Sequence, residues 1–174
     1  AAGLIPEAPP AMALPAVGQI AVVSGSCSPV TARQIAHAEG RGFTGIRIDV
    51  TRAVDAAGWE AEIGRIGALA LTALGTGSSP LVYTALGPDD PAVAGLEEAC
   101  RSAGVPVPDV NDRIGAGLGS LLGHVLDAGR LGRAVIAGGD TSGHATLGLG
   151  IDALSAAAML APGAPLCRAH AETP

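Results

Sequence analysis

Two segments of the chain join a short apolar run to a turn made of glycine and hydroxyl residues: Val22–Gln34 (VVSGSCSPVTARQ) and Val135–His144 (VIAGGDTSGH). The first carries Ser24, Gly25, Ser26, Ser28 and Thr31; the second carries Gly138, Gly139, Asp140, Thr141 and Ser142. A strand that ends in such a turn and opens a helix points free backbone N–H groups at one spot, with the positive end of the helix dipole behind them. That arrangement suits an anion, and phosphate is the usual one. Two such turns in one short chain point to a phosphorylated ligand. The chain has no lysine, which excludes the Gly-Lys-Ser/Thr phosphate loop. Phosphate must then be held by backbone, hydroxyls, arginine or a metal ion.

Each feature also has a plainer reading. The serines of the first turn serve equally well as helix caps, and Ser28 followed by Pro29 is a good N-cap and first helical residue. Asp140 would repel a bare phosphate. It reads either as the cap of the next helix or as a ligand, direct or through water, to a magnesium ion that accompanies the phosphates. His144 is expected to be structural or solvated, and His37, His124 and His170 have no partner at useful spacing. Cys27 lacks an identifiable histidine–carboxylate pair and reads as a small packing residue. Asp89-Asp90 resembles a metal-ligand pair, but its place before Pro91 is that of a helix cap.

The elements that must position these turns alternate. Gln19–Ser24 is a short apolar strand, and Val30–Glu39 a helix stopped by Gly40–Gly42. Gly45–Val50 alternates as a second strand. Trp59, Ile63, Ile66, Ala70 and Leu74 recur at helical spacing, and Leu81–Leu86 is a third strand. Pro91–Ala103 reads as a helix. After a turn around Val105–Val110, the residues Ile114, Leu118, Leu121, Leu122, Val125 and Leu126 form an apolar helical face. Arg133–Ala137 is a fourth strand and Thr141–Leu149 a short helix; Leu154–Leu160 reads as a strand, and Pro162–Arg168 as a turn and a further strand. The alternation predicts an α/β fold, a three-layer αβα sandwich around a mostly parallel sheet. In such sheets ligands bind beyond the ends of the strands, so both glycine turns are expected to face one crevice.

Composition narrows the function. Net charge is −6, the cations are ten scattered arginines and the aromatics are Phe43, Trp59 and Tyr83, which argues against nucleic-acid binding. No apolar run reaches the roughly 20 residues that span a bilayer. Cys27, Cys100 and Cys167 show no metal-ligand or disulfide pattern, and a reducing cytoplasm fits them best. The proline-rich segment 1–18 has no basic n-region; it reads as an interdomain linker and not as a signal peptide. The domain proper is then 19–174, and a homodimer is compatible with it.

Together the motifs carry a family resemblance. Val22–Gln34 resembles the Ser-Gly-Ser-x-Ser-x-x-Thr-x-x-Gln segment of the four-carbon acid sugar kinase family. Val135–Gly143 is similar to that family's Gly-Gly-Glu/Asp-Thr-Ser-Gly segment, with Asp140 as the acidic residue. Pro162-Gly163-Ala164-Pro165 resembles its Pro-Gly-Val-Pro turn, with alanine in place of valine. The three occur in family order over about Gln19 to Pro165, and jointly they are specific for the family's C-terminal, nucleotide-binding domain. The family's N-terminal Asp-Asp-x-Thr-Gly motif, which serves the sugar acid, is not in the chain, nor is its later Lys-Ser-Gly-Asn-Phe-Gly-like segment.

The resemblance implies ATP and Mg²⁺ as cofactors, with Ser24, Gly25, Ser26 and Ser28 on one side of the nucleotide. Gly138, Gly139, Asp140, Thr141 and Ser142 would form the other side, and Asp140 would serve the metal. It implies phosphoryl transfer to a four-carbon sugar acid of the threonate, erythronate or oxo-tetronate type, bound through the N-terminal domain. This chain alone is expected to be inactive, and no catalytic base is assigned. Two other readings stand beside it: a non-catalytic α/β module for a phosphorylated small molecule, and a dinucleotide enzyme. Neither turn matches Gly-x-Gly-x-x-Gly, although Asp49 lies roughly 20 residues beyond the first.

Overall fold

The computed structural model describes residues 15–171. Most of the expected linker, 1–14, lies outside the described residues; 15–18 carry neither helix nor strand. The chain divides into two compact units, Val17–Leu149 and a second that includes the residues from Gly150 on.

The larger unit is an α/β layer structure. Strands β1 (Ala21–Ser24), β2 (Phe43–Arg47), β3 (Ser79–Tyr83) and β4 (Ala134–Ala137) form one sheet in the order β2-β3-β1-β4. Every pairing in it is parallel. Helices α1 (Pro29–Glu39), α2 (Ala56–Gly75), α3 (Pro91–Ala103) and α4 (Val107–Gly129) supply the crossovers, and α5 (Gly139–Gly148) follows the last of these strands.

Alternation along the strands explains the layers, because successive side chains point to opposite faces. Ala21 and Val23 of β1 join Val82, Ile46 and the buried stripes of α2 and α4 in one core. Val22, Leu81, Tyr83 and Phe43 meet Ile35 of α1 on the other face. The expected stripes are the packed ones: Trp59, Ile66 and Ala70 on α2, and Ile114, Leu118, Leu121, Leu122 and Val125 on α4 are buried. With few aromatics, the core closes by bringing backbones together. A Cβ at Gly119 of α4 would stand 3.0 Å from backbone atoms of His144 and Ala145, so α5 lies directly on α4 there.

Some boundaries differ from the sequence reading. The second strand begins and ends earlier than Gly45–Val50, because Asp49 accepts from the Thr51 amide and starts a 3-10 turn at Val50–Val54. The third ends at Tyr83 instead of Leu86, where the chain leaves the sheet. The turn expected around Val105–Val110 is shorter: α4 already begins at Val107, with Pro106 as its N-cap and Pro108 in its first turn, where a missing N–H costs nothing.

The smaller unit is an antiparallel hairpin, β5 (Ile151–Ala161) and β6 (Ala164–Ala171), closed at Pro162-Gly163. Register places Leu154, Ala156, Met159, Pro165, Cys167 and Ala169 on one face. Ser155, Arg168 and His170 share the other, where Ser155 Oγ and His170 Nε2 are 2.8 Å apart. His170 therefore has a hydrogen-bond partner that its sequence spacing did not suggest.

Candidate functional site

The two glycine turns lie side by side. Ser24 ends β1 opposite Ala137 at the end of β4, and the Gly25 amide donates to the Ala137 carbonyl at 3.0 Å. A Cβ added at Gly25 would overlap Thr141 Oγ1, and one at Gly138 would stand 3.0 Å from the same oxygen and 3.4 Å from the Ser26 amide nitrogen. The helices that follow leave in opposite directions: α1 covers one face of the sheet, while α5 packs on α4 against the other. Adjacent parallel strands whose helices diverge in this way form a topological switch point, the usual ligand crevice of open α/β sheets.

The hydroxyls of the first turn mostly brace the turn itself. Ser28 caps α1, accepting from the Val30 amide at 3.2 Å, as expected. Ser26 Oγ accepts from the Ser28 amide at 3.2 Å and pairs with Thr31 Oγ1 at 3.0 Å. Ser24 is buried, and its Oγ receives the Ser26 amide at 3.4 Å. The turn is a rigid frame that presents its backbone, with its side-chain oxygens largely engaged. Cys27 is exposed, so the packing role expected for it is not found.

The second turn is left open. Gly138 occupies the N-cap of α5 at φ +121°, and no side chain caps the helix. The expected cap, Asp140, sits two residues too far along: it lies exposed in the first helical turn, where its charge still complements the helix dipole. Ser142 bonds back to the Gly138 carbonyl through its amide (2.9 Å) and its Oγ (2.7 Å), while Thr141 is buried against Gly25. Gly139 is exposed, and a Cβ there would meet nothing within 4 Å. No side chain caps the first-turn N–H groups of α5, and helix geometry leaves such groups without an intrahelical partner. Such an uncapped helix start is the kind of place that suits an anion.

Among the described residues no cluster of three or more His, Cys, Asp or Glu could hold a metal ion by itself. Asp140 is a single carboxylate in the first turn of α5. A magnesium ion bound mostly by phosphate oxygens and water needs one or two protein carboxylates, and the site fits that mode. A groove of about 460 Å³ lies elsewhere, along β2 and lined by Arg47, Arg65 and Leu69 among others; no residue of either glycine turn lines it.

Two arrangements had no signal in the sequence. His144 Nε2 lies 3.4 Å from Asp112 Oδ1, a contact made by packing α5 on α4. Arg47, at the end of β2, donates to Asp90 through Nη1 (2.9 Å) and Nη2 (2.8 Å) and lies 5.2 Å from the Tyr83 ring centre. Asp90 also caps α3 by accepting from the Ala92 amide, as its place before Pro91 suggested. The Arg47 guanidinium, with the Ala92 and Leu86 amides, holds this buried carboxyl well below the usual range against the opposing effect of burial. Asp49, the one residue favouring a dinucleotide, is engaged as the cap of the 3-10 turn.

The chain matches the family described as the nucleotide-binding C-terminal domain over residues 21–174. It is 47% identical to a 3-oxo-isoapionate kinase of Paraburkholderia graminis over 174 residues, all of this chain and 37% of that protein. It is 31% identical to a 3-oxo-tetronate kinase of Brucella melitensis over 157 residues, 88% of this chain and 33% of that protein. The chain thus spans about a third of the length of these relatives. Among solved structures, a putative tRNA synthase from Salmonella typhimurium LT2 is similar with a TM-score of 0.67 and 27% identity, covering 89% of this chain and 35% of that one. A domain of unknown function from Bordetella bronchiseptica, with bound citrate and described as a domain-swapped dimer, shares the fold at a TM-score of 0.60 and 20% identity. It covers 87% of this chain and 33% of that one. Among the described residues no helix is long and apolar enough to cross a membrane.

Proposed function

The chain belongs to the nucleotide-binding C-terminal domain family, and from that premise we propose that the crevice between its glycine turns binds ATP with Mg²⁺ for a four-carbon sugar-acid kinase. The observation that carries this reading is the uncapped N-terminus of α5 beside Gly25. Its orphan amides take the phosphates, and the adjoining backbone of Gly25 and Ser26 closes the other side. Asp140 supplies one carboxylate to the metal, whose remaining ligands are phosphate oxygens and water. ATP supplies the phosphoryl group when bound. The protein's part is to orient it and neutralise charge, which is how phosphoryl transfer is mainly catalysed.

The relatives named as 3-oxo-isoapionate and 3-oxo-tetronate kinases support an oxidised short-chain sugar acid as acceptor. This reading leaves the acceptor and its base to the rest of the protein, since the chain spans about a third of these relatives' length, and gives the chain alone no kinase activity. Segment 1–18 serves as the linker to those regions, and the setting is cytoplasmic. A homodimer is part of the same reading, supported by the apolar face of the hairpin, where Leu154 is 54% and Met159 69% exposed. Isothermal titration with Mg-ATP and Mg-ADP tests the nucleotide site. Micromolar-to-millimolar binding is expected, and no heat at several millimolar would overturn it.

A further inference from the structure

We propose that the loop between β3 and α3, Thr84–Asp90, is the nucleoside side of this crevice, with Leu86 as its apolar seat and the Arg47–Asp90 pair as the device that positions it. The inference rests on the nucleotide reading above and assigns the part of the ligand that the glycine turns do not explain.

The glycine turns offer amides and hydroxyls, which suit phosphate but give an uncharged base nothing to lie on. The neighbouring strand supplies what is missing. Tyr83 ends β3 opposite Ser24, and the Thr84 amide donates to the Ser24 carbonyl at 3.0 Å, so the loop leaves the sheet directly beside the first glycine turn. It then reaches α1: a Cβ at Gly87, which has φ +104°, would touch the Ala32 Cβ at 4.0 Å. Ala85 and Gly87 are buried, while Leu86 between them is 39% exposed. An apolar side chain is thus held part-exposed in the loop that leaves the sheet beside the first glycine turn.

The fastening exceeds what a helix cap requires. Capping α3 uses one acceptor contact, from Asp90 to the Ala92 amide at 2.9 Å. The same carboxylate also takes the Leu86 amide at 2.7 Å and both terminal nitrogens of Arg47, which reaches over from β2. It therefore ties Leu86 to the start of α3 and to the end of β2. A base needs such a preformed surface, because ordering a loose loop on binding would cancel much of the gain.

The test compares Mg-ATP with inorganic tripolyphosphate, which carries the phosphates and lacks the nucleoside, by titration of the 174-residue chain. Leu86→Ser removes a side chain that is 39% exposed and keeps the backbone amide that donates to Asp90; its melting temperature is read alongside, and the ratio of the two ligands' affinities carries the result. The substitution should weaken ATP about tenfold, in line with the burial of a leucine, and leave tripolyphosphate unaffected. Arg47→Met should weaken ATP selectively in the same way, a pattern that general destabilisation would not produce. Leu69→Ser, at a leucine of similar exposure on α2, should change neither. Equal losses for both ligands, no loss for either, or a loss in Leu69→Ser overturns the assignment, as does a wild-type chain that binds both ligands equally. A wild-type chain that binds neither overturns the nucleotide reading and this inference with it.

Discussion

Gly25 and Thr141, more than a hundred positions apart in the chain, pack so closely that no side chain fits at position 25: a Cβ there would overlap Thr141 Oγ1. This contact joins the two turns. It also separates two kinds of glycine at the site, one that the fold requires and one that only a ligand would.

Gly25→Val is expected to be destabilised by about 1–3 kcal/mol, the usual cost of overpacking, because the buried Thr141 has little room to retreat. Thermal unfolding of this variant, paired with Thr141→Ala to open space, reads the contact. Rescue of the melting temperature in the double variant is the expected result.

Gly139→Val is the cleaner probe of function. Its Cβ meets nothing within 4 Å, so the melting temperature should stay within a few degrees of wild type while Mg-ATP binding falls at least about tenfold. Ser26→Tyr is less clean, since Ser26 Oγ also holds Thr31 Oγ1 and the Ser28 amide.

Asp140→Asn keeps the shape of the first turn of α5 and removes the carboxylate. Titration of ATP with magnesium and with EDTA should show the magnesium-dependent part of the affinity shrinking, with metal-free binding unchanged or tighter. An unchanged magnesium dependence would remove Asp140 from the metal's ligands.

Asp90 sets an acid limit. Its folded carboxyl is held below the usual range, chiefly by Arg47, so its contribution to stability is complete above the unfolded value of about 3.9. That contribution is lost progressively as pH falls below it toward the depressed folded value. Denaturant melts between pH 6 and pH 2 should show this loss, and Asp90→Asn should flatten the slope while lowering stability at pH 6.

The hairpin predicts self-association. Light scattering over a concentration series should give a dimer for the wild-type chain and a shift to monomer for Leu154→Ser with Met159→Ser. A wild-type monomer at high micromolar concentration would end the dimer reading.

The local elements were legible in the sequence because their causes are local. Apolar spacing marked the faces of α2 and α4, Ser28 and Asp90 marked the starts of α1 and α3, and alternation with helices implied a parallel sheet. The motif residues of both turns could be named for the same reason: strand, glycine and hydroxyl follow one another along the chain. Even the expectation of one crevice followed from parallel topology.

Tertiary structure decided what those residues do. The strand order β2-β3-β1-β4 put β4 beside β1, and only then could Thr141 meet Gly25. Exposure moved Cys27 out of the packing, and the actual start of α5 moved the cap from Asp140 to Gly138, leaving amides open. The Arg47–Asp90 clasp needed β2, β3 and α3 assembled before the two charges could meet. Side-chain periodicity records the propensity of a segment and the face it buries. Which segments become neighbours depends on crossover direction and packing of the whole sheet, and no short stretch of sequence contains that information.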